Sequence, residues 1–374
     1  MLKLLFRYFL LSLLLFYSVD TYSQKSIFDD TQLVELIKSG ADHIYGRKKD
    51  SAQFYIDRVK AKAPHHPIVP MMEAVRVLWY HIPVLEDEVF ENFNQYLLAT
   101  VTAAQNLPED NPDAVFFEMS ARGLLAEYYA DRGAYMKAFS EASQAYSLLK
   151  EGFDYVDEYP EYLFAVGLYN YFREAYPERH PIYKPLIWFF KSGNKELGLQ
   201  QLIRATKETV IIRVEAYVYL SYIFLRYEEK PQLSQQYTTE LYQQFPQNPY
   251  VQAKYLESNH ANRKFKNLMP EITYDLKKNE APYYRLVGNL YGAIYAESVL
   301  QNMSDSFDQY QVAYQLSEEL PGYADYYKSL IHLGLGRIYK QKGQNAQAAN
   351  HLELAISHAQ TKDVLEEANR WINQ

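Results

Sequence analysis

Two clusters of carboxylates are the first residues of this sequence whose types and spacing could do chemistry. One is Glu86-Asp87-Glu88, and the other runs from Glu151 to Glu161 and includes Asp154, Asp157 and Glu158. Paired carboxylates act as general acid and base when their environments separate their pKa values. Both clusters stand beside the predicted starts of helices, where exposed amide groups favour negative side chains. We therefore expect helix-start residues here and no catalytic pair.

Histidines and glycines do not have the spacing of a metal, phosphate or nucleophile site. His65 and His66 are adjacent, and His351 and His358 lie seven residues apart with Glu353 on another face. Neither arrangement reproduces the His-Glu-x-x-His zinc helix, and uncoordinated surface histidines explain both. The glycine-rich loops of nucleotide sites and the Gly-x-Ser-x-Gly elbow are missing from the sequence. We expect no enzymatic activity, no metal ion and no other cofactor.

Aromatic and cationic residues interleave between positions 169 and 188 and indicate binding rather than catalysis. Arginine over an aromatic ring, or tyrosine hydroxyls in a concave groove, would suit an extended peptide or an acidic tail. The same rings would also suit the packing of an unusual helix pair, so both interpretations remain open. The candidate residues for a partner-binding groove are Tyr169, Tyr171, Arg173, Tyr183, Lys184 and Trp188.

The elements that would position these residues have the pattern of repeated helix pairs. In "LGLGRIYKQKGQNAQAANHLELAI", from 333 to 356, small and apolar residues recur at three and four residues on both sides of a glycine turn. The pattern predicts two helices that meet through small side chains. The positions that carry it are Gly336, Tyr339, Gly343, Ala348, Leu352 and Ala355, and an equivalent set earlier in the chain is Ala126, Tyr129, Gly133 and Ala138.

Weaker copies extend the pattern along the chain. Ala52 and Ser234 occupy the position of Ala348, and a further candidate with extra residues in its turn lies around Gly292, Tyr295 and Ala313. Alternating strand patterns flanked by hairpin turns do not occur. The sequence therefore predicts an all-α fold, an α-solenoid of irregular helix-turn-helix repeats with about nine to eleven helix pairs.

The repeated positions resemble the tetratricopeptide repeat (TPR), a helix-turn-helix unit of about 34 residues. A narrower resemblance rests mainly on the atypical, proline-broken segment 159–206 and on Phe245-Pro246-Gln247-Asn248-Pro249. These two stretches resemble exported bacterial repeat proteins related to the inclusion-body-clearance, or tetratricopeptide repeat protein 39, family. Where relatives often carry Gly-Asp before the second helix, this chain has Gly193-Asn194. The resemblance implies an array that presents a concave groove to a protein or peptide partner.

The N-terminus has the pattern of a cleavable secretory signal. Lys3 and Arg7 precede an apolar run from Tyr8 to Tyr17, and Thr21 and Ser23 supply small residues before a cleavage point. We expect a signal peptide at 1–23 and a single helical array at 24–374. The chain contains no cysteine, which excludes disulfides, thiolate metal sites and lipidation of a cysteine. These patterns predict a soluble protein, not lipidated, in the periplasm of a two-membrane bacterium.

Charge and composition narrow the possible partners. The formal net charge is −8, which disfavours nucleic acid and anionic lipid. The 37 tyrosines suit half-exposed helix surfaces, because each combines an apolar ring with a polar hydroxyl. We expect an exported, non-catalytic interaction scaffold for a protein or peptide partner. The alternative is an envelope enzyme, or a component that captures a sugar or another small molecule, built on a helical-repeat frame.

Overall fold

The computed structural model describes residues 26–108, 111–184 and 190–373, and within them the regular structure is helical, with no strand. The predicted signal peptide lies outside the described residues. Short 3-10 turns cover Ile27–Asp29, Pro181–Tyr183 and Phe265–Asn267. The longer helices are α1 (Thr31–Tyr45), α2 (Lys49–Lys62), α3 (Ile68–His81), α4 (Asp87–Gln105), α5 (Pro112–Asp131), α6 (Tyr135–Tyr155), α7 (Tyr162–Arg179), α8 (Lys195–Glu208), α9 (Arg213–Arg226), α10 (Pro231–Gln244), α11 (Pro249–Ala261), α12 (Pro270–Lys277), α13 (Pro282–Tyr295), α14 (Met303–Glu318), α15 (Asp325–Gln341), α16 (Asn345–Ser357) and α17 (Lys362–Ile372).

Consecutive helices pack as pairs, and the pairs stack into an α-solenoid. The tightest neighbours are α5 with α6, α15 with α16, α7 with α8, and α13 with α14. The first helices of successive pairs also contact one another, as α1, α3 and α5 do, and again from α9 through α11 and α13 to α15. Each pair thus buries an apolar face against the next, as in other repeat folds. The predicted all-α solenoid is confirmed.

The turns inside several pairs share one backbone conformation. Gly133 and Gly343 have φ of +71° and +74°, and Arg47, Glu229 and Gln301 have φ between 51° and 55° at the corresponding turns. This left-handed conformation ends a helix and lets the next amide reach a carbonyl of the last turn. Its recurrence, with glycine at only two of these turns, explains why the repeats are irregular in sequence.

After each of these turns, the fourth residue of the second helix is small and buried. Its amide donates a backbone hydrogen bond to the carbonyl oxygen of the fourth preceding residue, and its side chain is buried. In the fifth copy Ser306 occupies this position, and the π-helical turn Ala296–Leu300 lengthens the connection before it. The residues at this position are Ala52, Ala138, Ser234, Ser306 and Ala348.

The two strongest repeats also share an aromatic contact with the preceding pair. Tyr129 meets the edge of Phe90, and the Arg132 guanidinium lies 3.7 Å from the centroid of that ring. The cation is the residue before the turn glycine. The same arrangement recurs at the C-terminal end, formed by Tyr339, Phe307 and Lys342.

The solenoid curls so that its first helices contact helices much later in the chain. The Tyr45 hydroxyl on α1 lies 2.7 Å from the carbonyl oxygen of Ile211, just before α9. The Asn248 side chain, which caps α11, donates to the carbonyl oxygen of Tyr45 at 2.8 Å. Residues from α1 to α11 accordingly share one apolar core. The first part of the chain therefore closes into a turn around a central space.

The described residues form fewer helix pairs than the sequence predicts. Within the described residues there are eight pairs, α1–α2 through α15–α16, and a final single helix, α17. The expectation of about nine to eleven pairs therefore exceeds the count in the described residues. On either side of the proline-broken segment, α8 packs against α7.

Candidate binding groove

A groove opens in the central space enclosed by the first turn of the solenoid. One part has a volume of about 450 Å³ and is walled by α3, α5, α6, α7 and the start of α9. A second part of about 400 Å³ lies toward α9, α10 and α11. We call the two parts together the central groove, because both are lined by Leu78, Leu124, Glu127, Glu215 and Tyr219.

The first part of the groove is apolar and has a floor of small residues. Large apolar side chains surround the space, among them Met71, Phe116 and Leu168. Most of the small residues come from α5 and α6, and they leave the volume unfilled. These are Ser120, Gly123, Ala126, Ala142 and Ala145.

Gly123 in the middle of α5 has no structural reason to be glycine within the described protein. A β-carbon added there would meet no atom within 4 Å, and the residue has no positive φ. By contrast, a β-carbon on Gly198 of α8 would lie 2.6 Å from the backbone nitrogen of Tyr171. Glycine in a helix interior costs about 0.5–1 kcal/mol relative to alanine. Glycine at position 123 therefore lowers the stability of the helix and leaves space free in the groove.

Glu127 presents an unpaired carboxylate to both parts of the groove. Its side chain is reached by solvent through the groove, yet protein surrounds it on most sides. This desolvation, with repulsion from Asp131 one helical turn later, raises the pKa of Glu127 to about 7. The carboxylate forms no hydrogen bond or ion pair within the described part of the chain. Glu127 is thus available to a ligand.

Glu215 has the opposite role, because its carboxylate is fully engaged by the protein. It accepts hydrogen bonds from Trp79 Nε1 at 2.8 Å and from the Tyr45 hydroxyl at 2.9 Å. Burial raises the pKa of Glu215, while these hydrogen bonds oppose that shift. The residue joins α1 and α3 to α9 at the back of the groove. Through these hydrogen bonds Glu215 holds α1 and α3 against α9 and so stabilises the closed turn.

The second part of the groove ends at a buried charge cluster. Lys254 donates to Glu257 at 3.0 Å, and the Arg226 guanidinium also donates to Glu257. Although burial disfavours the ammonium form, the Glu257 carboxylate holds the pKa of Lys254 above its ordinary value. The Arg226 guanidinium packs 3.6 Å from the centroid of Tyr326. These charges neutralise one another in part and fix the packing of α9, α11 and α15.

Two of the aromatic and cationic residues that the sequence singled out, Tyr169 and Arg173, contact residues between α7 and α8. The Tyr169 hydroxyl donates to the carbonyl oxygen of Lys191, and its ring stacks on Tyr146 at 5.6 Å. Arg173 is mostly buried and reaches the carbonyl oxygen of Phe190 at 3.5 Å. Of these, Tyr169 also lines the central groove.

Two further candidates, Tyr171 and Lys184, do not line the central groove with Tyr169. Tyr171 is fully buried, and its hydroxyl donates to Glu228 at 2.6 Å. Lys184 is exposed. The side chain of Tyr183 and the whole of Trp188 lie outside what the structure describes. A partner-binding role for these residues stays a prediction, and for Tyr171 the buried ring favours the packing alternative.

In the last helix pair, several residues assigned to repeat packing lie at the contact between the two helices. A β-carbon on Gly336 would lie 2.7 Å from Leu352, and Ala348, Leu352 and Ala355 are buried. Ala126 instead lines the central groove, and the hydroxyl of Tyr129 donates to Asn94 at 2.9 Å.

Some of the acidic and histidine positions that the sequence analysis considered have structural partners. Glu161 is buried at the start of α7, where it accepts the backbone amides of Val210 and Ile211; burial raises its pKa to about 7. His66 contacts Asp113 at 3.2 Å. Within the described ranges, no group of three His, Asp or Glu side chains is placed to hold a metal ion, and no helix is both long and apolar enough to cross a membrane.

Sequence reasoning missed the residues that define the groove, namely Gly123, Glu127, Glu215 and Tyr219. One signal was present. Gly123 falls inside a long helical segment at a position that the repeat pattern does not require to be small. The others come from helices that only the closure of the turn brings together.

No protein-family model matches this chain, and no curated protein is significantly similar to it in sequence. Among solved structures, it is similar to the crystal structure of the C-terminal part of a TPR repeat-containing protein from Cytophaga hutchinsonii. The match covers 87% of this chain and 97% of that chain, with 10% sequence identity and a TM-score of 0.26.

Proposed function

We propose that the protein is a non-catalytic interaction scaffold that binds a protein or peptide partner in the central groove. The observation that carries the proposal is Gly123, an unpacked helix-interior glycine that faces an unfilled apolar volume. Apolar concave surfaces with a few polar groups are typical binding sites. Glu215 and Glu257 near the groove are buried and hydrogen-bonded within the protein. Glu127 is unpaired, but within the described residues no second catalytic group lies beside it, so the carboxylates favour binding over catalysis.

The N-terminal pattern supports export as a further part of the proposal. A basic start, a short apolar run and small residues at 21 and 23 are typical of a signal peptide. We propose that residues 24–374 act in the periplasm, where a protein without cysteine needs no disulfide chemistry.

The test is affinity capture of residues 24–374, tagged at the C-terminus, from crosslinked cells. Gly123→Trp fills the groove, and Gly123→Ala is the matched control that leaves most of it open. We expect a protein partner that is retained by the wild type and by Gly123→Ala and lost by Gly123→Trp. A partner retained equally by all three proteins would contradict binding in the groove.

A small-molecule ligand is the second candidate, because the volume of the groove also suits a compound of moderate size. If no polypeptide is captured, and native mass spectrometry of the purified protein instead detects a bound compound that Gly123→Trp excludes, the scaffold proposal is wrong.

A further inference from the structure

The central groove combines an apolar volume with an unpaired negative charge. Gly123 and Glu127 lie one helical turn apart on α5, so they face the groove together. A ligand that fills the space above Gly123 therefore reaches the Glu127 carboxylate as well. The apolar volume and the carboxylate together restrict the chemistry of the ligand more than the shape of the groove alone does.

The charges around Glu127 favour a cation. Asp131 is the next acidic residue on the same face, and it adds negative potential. The cation nearest along the groove, Lys254, is already paired with Glu257. The Arg132 guanidinium is directed to Phe90 and to the carbonyl oxygen of Leu85. Within the described residues, the counter-charge for Glu127 is therefore not supplied by the protein.

We propose that the groove binds a polypeptide segment in which a lysine or arginine stands next to large apolar side chains. The apolar side chain occupies the space above Gly123 and Ala126, and the cation pairs with Glu127. This inference rests on the proposed function and adds the chemistry of the partner. Apolar contact supplies affinity, and the ion pair supplies selectivity. A negatively charged side chain at this position of the ligand would be repelled by Glu127 and Asp131.

The ion pair also makes binding depend on pH. Because the pKa of Glu127 is about 7, the carboxyl group is half protonated near neutrality and pairs with a cation only when ionised. Affinity should rise between pH 6 and pH 8, while the lysine or arginine of the segment keeps its charge. The other titratable groups that face Glu127 are Tyr128, Asp131, Glu215, Tyr219 and Tyr250. The pKa values of the tyrosines are raised by burial, so the tyrosines stay neutral over this range.

The experiment is selection of random peptides displayed on phage against residues 24–374. Bound sequences are compared with those selected by Gly123→Trp, Gly123→Ala, Glu127→Gln and Glu353→Gln. Glu353 is exposed on α16, away from the groove, and is the matched control for loss of a carboxylate. Thermal unfolding of each variant checks that the fold is retained.

We expect wild-type protein, Gly123→Ala and Glu353→Gln to select sequences with a basic residue beside large apolar residues. Gly123→Trp should lose this selection, and Glu127→Gln should lose the preference for the basic residue. The selected peptide, made as a free fluorescent peptide, should bind Glu127→Gln about tenfold more weakly, which corresponds to one ion pair in a partly desolvated site. Its wild-type affinity should be higher at pH 8 than at pH 6.

Two results overturn the inference in different ways. Peptides that bind in the groove without a basic residue, or that bind Glu127→Gln equally well, refute the charge assignment and leave the scaffold function intact. If the wild type selects no peptide, or if selection is insensitive to Gly123→Trp, polypeptide binding in the groove fails together with the inference.

Discussion

At the scale of single residues, two glycines in helix interiors have opposite surroundings. Position 198 requires glycine, because the backbone of α7 leaves no room for a β-carbon there. Gly123 is free of contact and faces the groove. The same residue type thus has a packing role in one helix and, on our account, a binding role in another.

Alanine substitution should separate these two roles. Gly123→Ala should raise the free energy of unfolding by about 0.5–1 kcal/mol, because alanine loses less entropy in a helix. Gly198→Ala should lower it by about 1–3 kcal/mol through overpacking. Denaturant titration measures both values. Destabilisation by Gly123→Ala would show that the space above it is not free.

Buried histidines should make the fold sensitive to mild acid. Burial lowers the pKa of His260 and His332 to about 4, below the ordinary value near 6.5. Between these two values the unfolded chain takes up protons that the folded protein does not, so stability falls as the pH falls. We expect a loss on the order of 1–2 kcal/mol per histidine at pH 5 relative to pH 7. Urea unfolding at the two pH values measures it, and replacement of His332 by phenylalanine should remove part of the dependence.

At the scale of elements, the sequence was most informative where the signal is local. The spacing from Gly336 to Ala355 predicted a helix pair, and the pair is present as α15 and α16. The turn between them needs a left-handed residue, which Gly343 supplies. At other turns Arg47 and Glu229 take the same conformation, so glycine alone does not reveal every repeat.

The small residue after each turn should be intolerant of added volume. Ala348 is buried between α15 and α16. Ala348→Leu should lower the free energy of unfolding by about 1–3 kcal/mol through overpacking. The exposed neighbour Gln347 on the same helix provides the control, since Gln347→Leu should change stability by less than about 0.5 kcal/mol. Thermal and denaturant unfolding of both variants test the assigned register, and equal stability of the two variants would contradict it.

At the scale of the whole molecule, closure of the first turn decides where the groove lies. Its walls come from residues far apart in the chain, such as Leu78 on α3, Glu127 on α5 and Tyr219 on α9. Helical periodicity reports neighbours three and four residues apart and carries no information about such contacts. For this reason the sequence predicted the repeats, whereas its candidate groove residues were chosen from the segment 169–188 alone.

The hydrogen bonds of Glu215 should be important for this closure. Glu215→Ala removes the acceptor of the Trp79 indole and one acceptor near the Tyr45 hydroxyl. Leaving buried donors unsatisfied costs about 1–3 kcal/mol. Hydrogen exchange should become faster in α1 and α9 together, whereas the exposed control Glu353→Ala should not change it. Unaltered exchange in α1 would show that Glu215 does not hold the turn closed.

The central claim is that the chain works through this groove, and site-specific photocrosslinking tests it most directly. A diazirine-bearing amino acid replaces Ala142, which lines the groove, or Gln144, which is exposed two residues later on α6. Irradiation of cells followed by mass spectrometry identifies the molecules attached at each position. Our account predicts a polypeptide partner crosslinked from position 142 and little from position 144. A partner attached only from position 144 would place the working surface outside the groove and contradict the account.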